Sequence, residues 1–183
     1  FGNKTITTGE GGMVTFKDKE CYLRAVNIKN HGMAPDKKYH HLVVGSNYRM
    51  TNIQAALGVA QLEKIEYICH RKREITCNYI ENLKTVTFQT GSENSSNIIW
   101  LNTVLFQSQK VRDRVANNLS ANGIDYRFPF SPMQTQPAFC AIETRGPQGV
   151  AESIYTLGLS IPSSVTLDEK SQHYVIDKVN EVV

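Results

Sequence analysis

Residues 51–62, which read TNIQAALGVAQL, constrain the fold more than any other part of the chain. Thr51 is a residue type that favours helix N-caps, and the apolar residues behind it recur at the i, i+3, i+4, i+7 spacing of one helix face. These residues are Ile53, Ala56, Leu57 and Ala60. Further apolar positions extend the pattern, with a change of face, at Leu62, Ile65, Ile68, Tyr79, Ile80 and Leu83. The sequence therefore predicts a long helix of the kind that bends or connects two bodies.

The segment before this helix predicts short strands and one short helix. Two strand-forming stretches, residues 5–8 and 13–16, flank the glycines of residues 9–12, which is typical of a hairpin. The spacing of those glycines matches neither a dinucleotide-binding loop nor a Walker loop, so we interpret them as a turn. Residues 19–30 predict a helix that Gly32 would end.

The segment after the long helix predicts a separate, mixed domain. Residues 91–96 are turn formers and mark a change in composition, so we place a domain boundary near residue 90. The elements predicted beyond it are a strand at 98–106, a helix at 110–122, a short helix at 150–157, a strand end at 159–162 and a closing helix at 168–182. We thus expect an α/β protein with two parts, residues 1–90 and residues 91–183.

Composition narrows the class of protein. The 20 Lys and Arg residues against 17 Asp and Glu residues give a net charge of +3, which is too mild to indicate nucleic-acid binding. No apolar run approaches the roughly 18 residues of a membrane span, and no signal peptide is visible. The cysteines lie far apart, without a C-x-x-C pair, at positions 21, 69, 77 and 140. We expect a cytoplasmic enzyme with reduced thiols and no metal site.

Several motifs, in order along nearly the whole chain, carry a resemblance to one family. They are KTITTGEGGM at 4–13, NHG at 30–32, GSNYRM at 45–50, QAA at 54–56, QL at 61–62, GIDYR at 123–127, QPAF at 136–139 and GLSIPSS at 158–164. The chain resembles the pyridoxal-phosphate-dependent nucleotide-sugar aminotransferases of the DegT/DnrJ/EryC/StrS type, and among them enzymes such as perosamine synthases. The resemblance implies the C-terminal part of a fold-type I aminotransferase. Residues 1–90 would end the large cofactor-binding domain and include the long connecting helix, and residues 91–183 would form the small C-terminal α+β domain.

The resemblance assigns the chemistry to Lys4. A single lysine is ordinarily a solvated surface amine, but in this family the matching lysine binds pyridoxal 5′-phosphate covalently and then moves protons between substrate and cofactor. An amine attacks an aldehyde only when it is unprotonated, and partial burial favours that form. We therefore expect Lys4 to be sheltered from water by its small strand neighbours.

Asn47 and Arg49 are the next candidates. An Asn just before a helix is ordinarily a turn or cap residue. The family uses the matching Asn to contact the cofactor phosphate of the neighbouring subunit, so the resemblance implies a homodimer with a shared site. The N-terminus of the helix after Thr51 would also favour such an anion. Arg49 is either a ligand of phosphate or of a substrate carboxylate, or a structural ion-pair partner.

The candidates for substrate binding are His31, Tyr126, Arg127 and Gln134. His31 precedes a helix-ending glycine and is either a capping residue or a substrate contact. Residues 126–139 resemble the loop that covers the sugar in relatives making 4-amino-4,6-dideoxyhexoses. Those relatives often have His at the position of Gln134, so this sugar contact is either altered or lost.

The resemblance implies transfer of an amino group from L-glutamate to a nucleotide-linked 4-keto-6-deoxy sugar. Sugar 3-dehydratases, a related class, have histidine in place of the lysine, so Lys4 favours transamination. A non-catalytic dimerisation module is the other alternative, because an acidic residue, an aromatic ring and a serine of the family's cofactor site would lie before Phe1. For the same reason we expect the 183-residue chain alone to be inactive.

Overall fold

Residues 2–89, 91, 97–139 and 149–183 are described by the structure, which is a computed structural model. The chain divides into two compact units, Phe1–Ile65 and Glu66–Val183. The predicted boundary near residue 90 concerns the domains of a complete enzyme, whereas this division concerns compactness within the chain, so that boundary stays a prediction. The predicted turn at residues 92–96 and the position of Cys140 lie outside the described residues.

Among its described residues, the first unit has two helices, α1 (Lys19–Lys29) and α2 (Asn52–Leu62). The predicted α1 is confirmed, and the Asp18 carboxylate caps it by accepting a hydrogen bond from Cys21 N–H at 2.7 Å. The chain then turns through His31 and Gly32, which have φ angles of 63° and 66°. A Cβ on Gly32 would lie 1.9 Å from the carbonyl oxygen of Val43, so only glycine fits there.

The predicted hairpin of residues 5–16 is wrong. These residues form turns, bends and extended backbone without a strand, although Gly9 has the φ of +80° expected of a turn glycine. Two of their N–H groups bond to side chains instead of to a partner strand. Thr7 N–H donates to Gln61 Oε1 at 3.3 Å, and Gly9 N–H donates to Thr7 Oγ1 at 2.9 Å. A two-stranded hairpin is only marginally stable by itself, and these N–H groups find partners outside a strand ladder.

The predicted long helix is also wrong, because the pattern covers two helices. α2 ends at Leu62, Glu63 and Lys64 form a turn, and α3 (Ile65–Asn82) begins directly afterwards. The break falls at the predicted change of apolar face. A straight helix keeps its apolar stripe on one side, so a stripe that changes side is accommodated by a break.

The N-terminus of α2 is as predicted, but its apolar face is not buried. Thr51 and Gln54 form a capping box, in which each side chain accepts a hydrogen bond from the backbone of the other. On the predicted apolar face, Ile53 is 77% exposed and Leu57 is 50% exposed. α2 therefore forms through its local signals and not through burial within this chain.

The second unit packs helices against a three-stranded antiparallel sheet. The strands are β1 (Thr87–Phe88), β2 (Asn102–Leu105) and β3 (Gly158–Ile161), in the spatial order β1-β2-β3. The helices after α3 are α4 (Gln109–Ala121), α5 (Val150–Leu157) and α6 (Glu169–Asn180), with 3-10 turns at Met133–Thr135 and Pro137–Phe139. The predicted strand at 98–106 is shorter than expected, whereas the two predicted helices after it, the strand end and the closing helix are confirmed.

One apolar core holds the second unit together. Val115 and Leu119 of α4 are fully buried, as their i, i+4 spacing predicts. The other buried residues of this core are Ile75, Tyr79, Leu83, Val104, Phe106, Ala116, Ile124, Leu159, Ile161, Val175, Ile176 and Val179. In the first unit, Ala34 is the only buried apolar residue among those described. The core of the chain thus lies in the second unit.

Three further properties of the described residues concern membrane-spanning helices, metal sites and disulfides. No described helix is both long and apolar enough to cross a membrane. Across the described ranges, no three His, Cys, Asp or Glu side chains come together as a metal site would require. Cys21, Cys69 and Cys77 carry free thiols.

Candidate active site

Lys4 lies in a bend before the Thr-rich segment, and its side chain is exposed in this chain. Residues 5–8 are half-buried. Because they form no strand, they do not carry Lys4 into a sheet. The expectation that these neighbours shelter the amine is therefore not met within the described residues.

The backbone around Lys4 is held against α2. We call residues 4–10 the Lys4 loop. Gln61 of α2 accepts a hydrogen bond from the backbone of this loop at 3.3 Å, and Gln54 Nε2 donates to the carbonyl oxygen of Glu10 at 3.0 Å. α2 therefore holds this loop at Thr7 and Glu10, starting three residues after Lys4.

Asn47 and Arg49 come together just before α2. Asn47 pairs with Asn30 at the end of α1, and its Oδ1 accepts hydrogen bonds from the backbone N–H and the Nε–H of Arg49, at 3.5 and 3.4 Å. Both side chains are exposed. Within the described part of the chain Arg49 forms no salt bridge. The ion-pair interpretation of Arg49 thus finds no partner there.

A groove of about 850 Å³ opens beside these two residues within the first unit. Its lining is mostly apolar and includes Met13, Val14, Phe16, Tyr22, Tyr48 and Met50. Its charged lining groups are Lys29 and Arg49 against Glu10, with the amides of Asn47 and Gln54 beside them. Two cations against one carboxylate make the groove compatible with an anionic group.

His31 serves the turn after α1 through its backbone. Its N–H donates to the carbonyl oxygen of Ser46 at 3.1 Å, and its own carbonyl oxygen accepts from His41 Nδ1 at 2.8 Å. These bonds tie the end of α1 to the segment that leads to Asn47, which favours the capping interpretation. A contact between the His31 ring and substrate stays a prediction.

Tyr126 and Arg127 follow α4 in the second unit. The Arg127 backbone exchanges two hydrogen bonds with Ser160 of β3, at 3.0 and 2.7 Å, while its side chain is exposed. The Tyr126 ring is half-buried and packs edge-on against Phe128, with ring centroids 5.5 Å apart. β3 therefore positions Arg127 through the backbone and leaves its guanidinium accessible.

Gln134 is half-buried, and its Nε2 donates to a carboxylate oxygen of Glu152 in α5. Hydrogen bonds from the Glu152 backbone N–H and from Gln134 lower the pKa of Glu152. This contact leaves Gln134 Oε1 to act as an acceptor. In the same segment, Phe130 stacks on Trp100 with ring centroids 6.4 Å apart.

Residues 1–180 match the model of the DegT/DnrJ/EryC1/StrS aminotransferase family. The chain belongs to this family. It is 38% identical over 182 residues to the GDP-perosamine synthase of Escherichia coli O157:H7, covering 99% of this chain and 50% of that protein. It is 36% identical over 190 residues to the GDP-perosamine synthase of Caulobacter vibrioides, covering 100% of this chain and 51% of that protein. The chain thus spans about half the length of the curated relatives it matches.

The fold also resembles solved structures of aminotransferases. Helicobacter pylori PseC, an aminotransferase involved in the biosynthesis of pseudoaminic acid, matches with a TM-score of 0.86 at 23% identity, over 97% of this chain and 50% of that chain. The match confirms the predicted α/β fold class. Pyridoxal phosphate, the predicted cofactor, is the cofactor of this family.

The candidate residues fit this cofactor by their chemistry. Lys4 offers a primary amine to an aldehyde, and Asn47 and Arg49 offer amide and guanidinium hydrogens to a phosphate. Because Asn47 Oδ1 accepts from Arg49, its Nδ2 is the group able to donate to an anion. The amine of Lys4 and the hydrogen-bond donors of Asn47 and Arg49 are thus suited to a phosphorylated aldehyde.

Sequence reasoning missed the roles of Gln54, Gln61 and Glu152. Gln54 lies three residues after Thr51, and this capping-box spacing is readable from the sequence. The contacts of Gln54 and Gln61 with the Lys4 loop span 44 and 54 residues along the chain, so they leave no local signal. Glu152 has only its place in the first turn of α5 to mark it.

Proposed function

We propose that the complete gene product containing this chain is a pyridoxal-phosphate-dependent aminotransferase that moves the amino group of L-glutamate onto a nucleotide-linked 4-keto-6-deoxy sugar. It acts in the cytoplasm as a homodimer with shared sites. The observation that carries the proposal is the amine of Lys4, presented on a loop held by α2 within the family match. The names of the two perosamine synthase relatives support the sugar class.

Lys4 is the proposed catalytic residue. Bound pyridoxal phosphate supplies the electron sink that removal of a proton from the donor's α-carbon requires. Lys4 is the residue that would hold the cofactor through its amine, and its Nζ would then accept and return the protons that the transfer moves. Both tasks need the neutral amine, which a dry environment favours. Because Lys4 is exposed in this chain, the cover comes from the second subunit and from residues of the complete protein beyond this chain.

Asn47 and Arg49 are the proposed phosphate ligands. Asn47 Nδ2 donates one hydrogen bond, and the Arg49 guanidinium adds positive charge beside it. α2 begins at Asn52, so the positive end of its dipole lies close to both residues in the sequence. In the proposed dimer these two side chains serve the site of the neighbouring subunit.

The proposed substrate contacts divide by chemistry. The exposed guanidinium of Arg127 suits the diphosphate of a sugar nucleotide. Gln134 Oε1 accepts from a sugar hydroxyl, since its Nε2 is engaged by Glu152. The Tyr126 ring offers a half-buried apolar face to substrate, and His31 offers an imidazole.

The test uses the complete gene product, pyridoxal phosphate, glutamate labelled with heavy nitrogen, and a nucleotide-linked 4-keto-6-deoxy sugar. We expect the label in the sugar product. We also expect borohydride reduction to fix the cofactor to the peptide that carries Lys4, as located by mass spectrometry. Lys4→Ala should abolish both results. Undiminished turnover by Lys4→Ala would contradict the proposal, and a deoxygenated, unlabelled sugar would point to a dehydratase instead.

A further inference from the structure

We propose that Gln54 and Gln61 of α2 are positioning residues for Lys4. Their two amide side chains clamp the Lys4 loop along one face of the helix and so fix where the lysine side chain projects. The proposal rests on the proposed function for the reactivity of Lys4. The clamp itself does not depend on that reactivity.

The first support is the way in which the Lys4 loop is held. It has no strand partner within the described residues. Thr7 N–H donates to Gln61 Oε1 at 3.3 Å, and Gln54 Nε2 donates to the Glu10 carbonyl oxygen at 3.0 Å. These bonds reach across 54 and 44 residues of the chain. The position of the loop therefore depends on α2 and not on local turn preferences alone.

The second support is the spacing of the contacts. Gln54, Gly58 and Gln61 recur at i, i+4, i+7, which places them on one face of α2. Thr7 contacts Gln61 and Glu10 contacts Gln54, so the contacts follow opposite orders along the two segments. The loop therefore runs antiparallel to this face of α2.

Gly58, between the two glutamines, gives the loop room to approach. A Cβ at this position would lie 3.1 Å from Thr8 Cγ2, which is closer than ordinary contact. Glycine is unfavourable in the interior of a helix. Its presence at the middle of the clamp therefore fits a requirement for space.

The two glutamines use opposite ends of their amides. Gln61 accepts from a backbone N–H. Gln54 donates to a backbone carbonyl oxygen while its own Oε1 accepts from Thr51 N–H at 2.9 Å in the capping box. An ionised glutamate can only accept. It can therefore replace Gln61 in the clamp, and it can replace Gln54 in the capping box but not in the clamp.

The experiment compares Gln61→Met, Gln61→Glu, Gln54→Met and Gln54→Glu in the complete gene product. Gln109→Glu, at an exposed position of α4, controls for the added charge. The first measurement is hydrogen–deuterium exchange of peptides that contain Thr7, made without cofactor. Loss of one hydrogen bond should speed exchange roughly 2- to 10-fold in Gln61→Met. Gln61→Glu and the control should match the unaltered protein.

The second measurement follows Lys4 itself. Borohydride trapping gives the rate at which pyridoxal phosphate attaches to Lys4, and steady-state kinetics give kcat and KM. We expect Gln61→Met, Gln54→Met and Gln54→Glu to slow attachment and to lower kcat by roughly 2- to 10-fold with KM for glutamate unchanged. In Gln61→Glu, both the attachment rate and kcat should equal those of the unaltered protein. Exchange of α4 peptides serves as the internal reference, because general destabilisation would speed those as well.

Each outcome decides the matter. Unchanged exchange at Thr7 in Gln61→Met overturns the clamp. Faster exchange with unaltered attachment and kcat overturns the positioning role. Equal losses in Gln61→Glu and Gln61→Met overturn the role of Gln61 as an acceptor. If Lys4→Ala keeps full turnover, the proposed function fails, while the exchange measurement still shows whether the clamp exists.

Discussion

Tyr79 shows what a single buried hydroxyl contributes to the second unit. Its side chain is fully buried and donates to the Pro162 carbonyl oxygen at 2.8 Å, and burial raises its pKa. Tyr79→Phe leaves that carbonyl without its partner. We expect a loss of about 1 kcal/mol in the free energy of opening of α3, measured by amide exchange.

Tyr67 in the same helix provides the matched control for this prediction. It is 62% exposed, so removal of its hydroxyl leaves no buried group unsatisfied. Tyr67→Phe should change the opening free energy by less than about 0.5 kcal/mol. Equal effects of the two substitutions would show that the buried hydrogen bond is not the cause.

Lys72 is a buried cation, 8% exposed, whose amine is held by neutral acceptors. Its Nζ donates to the Trp100 carbonyl oxygen at 2.9 Å and to Ser163 Oγ at 3.4 Å. Burial lowers the pKa of Lys72 below the value of an unfolded chain. Unfolding then takes up a proton between the two pKa values, so this residue makes stability rise with pH in that window.

The corresponding variant is Lys72→Met, which cannot titrate. We expect the free energy of unfolding of the unaltered protein, relative to this variant, to rise as the pH is raised toward the ordinary lysine pKa of about 10.4. Urea unfolding at several pH values measures it. A difference between the two proteins that stays constant with pH would contradict the assignment.

At the scale of elements, three of the helices that the sequence predicts correctly have a local signal at their N-terminus. α1, α4 and α6 begin after Asp18, Ser108 and Asp168, each of which accepts a hydrogen bond from the backbone three residues on. The helical spacing of the apolar residues then predicts the length of each helix. Such signals lie within a few residues of the helix and need no knowledge of the fold.

The errors come from elements whose state depends on distant contacts. Residues 5–16 have strand-forming composition, but the bond from Thr7 to Gln61 reaches 54 residues along the chain. The helix breaks at Glu63 and Lys64, where the sequence has neither glycine nor proline to indicate a break. A change of apolar face was the one trace of it in the pattern. Side chains that bond over such distances leave no periodicity to detect.

The predictions for the candidate site divide in the same way, into those that local signals decide and those that depend on distant contacts. The sequence predicts that Asn47 and Arg49 lie just before a capped helix, and the structure brings their side chains together. It also predicts a sheltered Lys4, which the described residues do not provide. Motif spacing locates a residue in the chain, whereas its exposure depends on every surface that packs against it.

At the scale of the whole molecule, the proposed shared site makes a specific prediction for mixed dimers. If Asn47 serves the neighbouring subunit's Lys4, a dimer of one Lys4→Ala subunit and one Asn47→Ala subunit has one site with both lesions and one intact site. Random mixing of two inactive variants should restore about one quarter of the unaltered activity. Turnover after dissociation and reassociation of the mixture measures it.

The mixed dimer also discriminates the alternative arrangement. If Lys4 and Asn47 of one subunit serve the same site, every site in the mixture carries one lesion, and no activity returns. Each variant reassociated alone is the control. Recovery by either one alone would show that its lesion is not inactivating.

The first unit presents large apolar side chains that this chain does not bury. Met13 is 87% exposed, Val44 is 98% exposed and Ile53 is 77% exposed. Among the described residues of this unit, Ala34 is the only buried apolar one. The unit that carries Lys4 thus gains little stability from apolar burial within this chain, in keeping with the expectation that the chain by itself lacks activity.

Trp100 is the only tryptophan in this chain, and its indole stacks on Phe130. Phe130 belongs to the segment expected to cover the sugar. A ligand that draws this segment toward itself would alter the surroundings of the indole and hence its fluorescence. If the proposed substrate moves this segment, the fluorescence of Trp100 would report its binding without an added label.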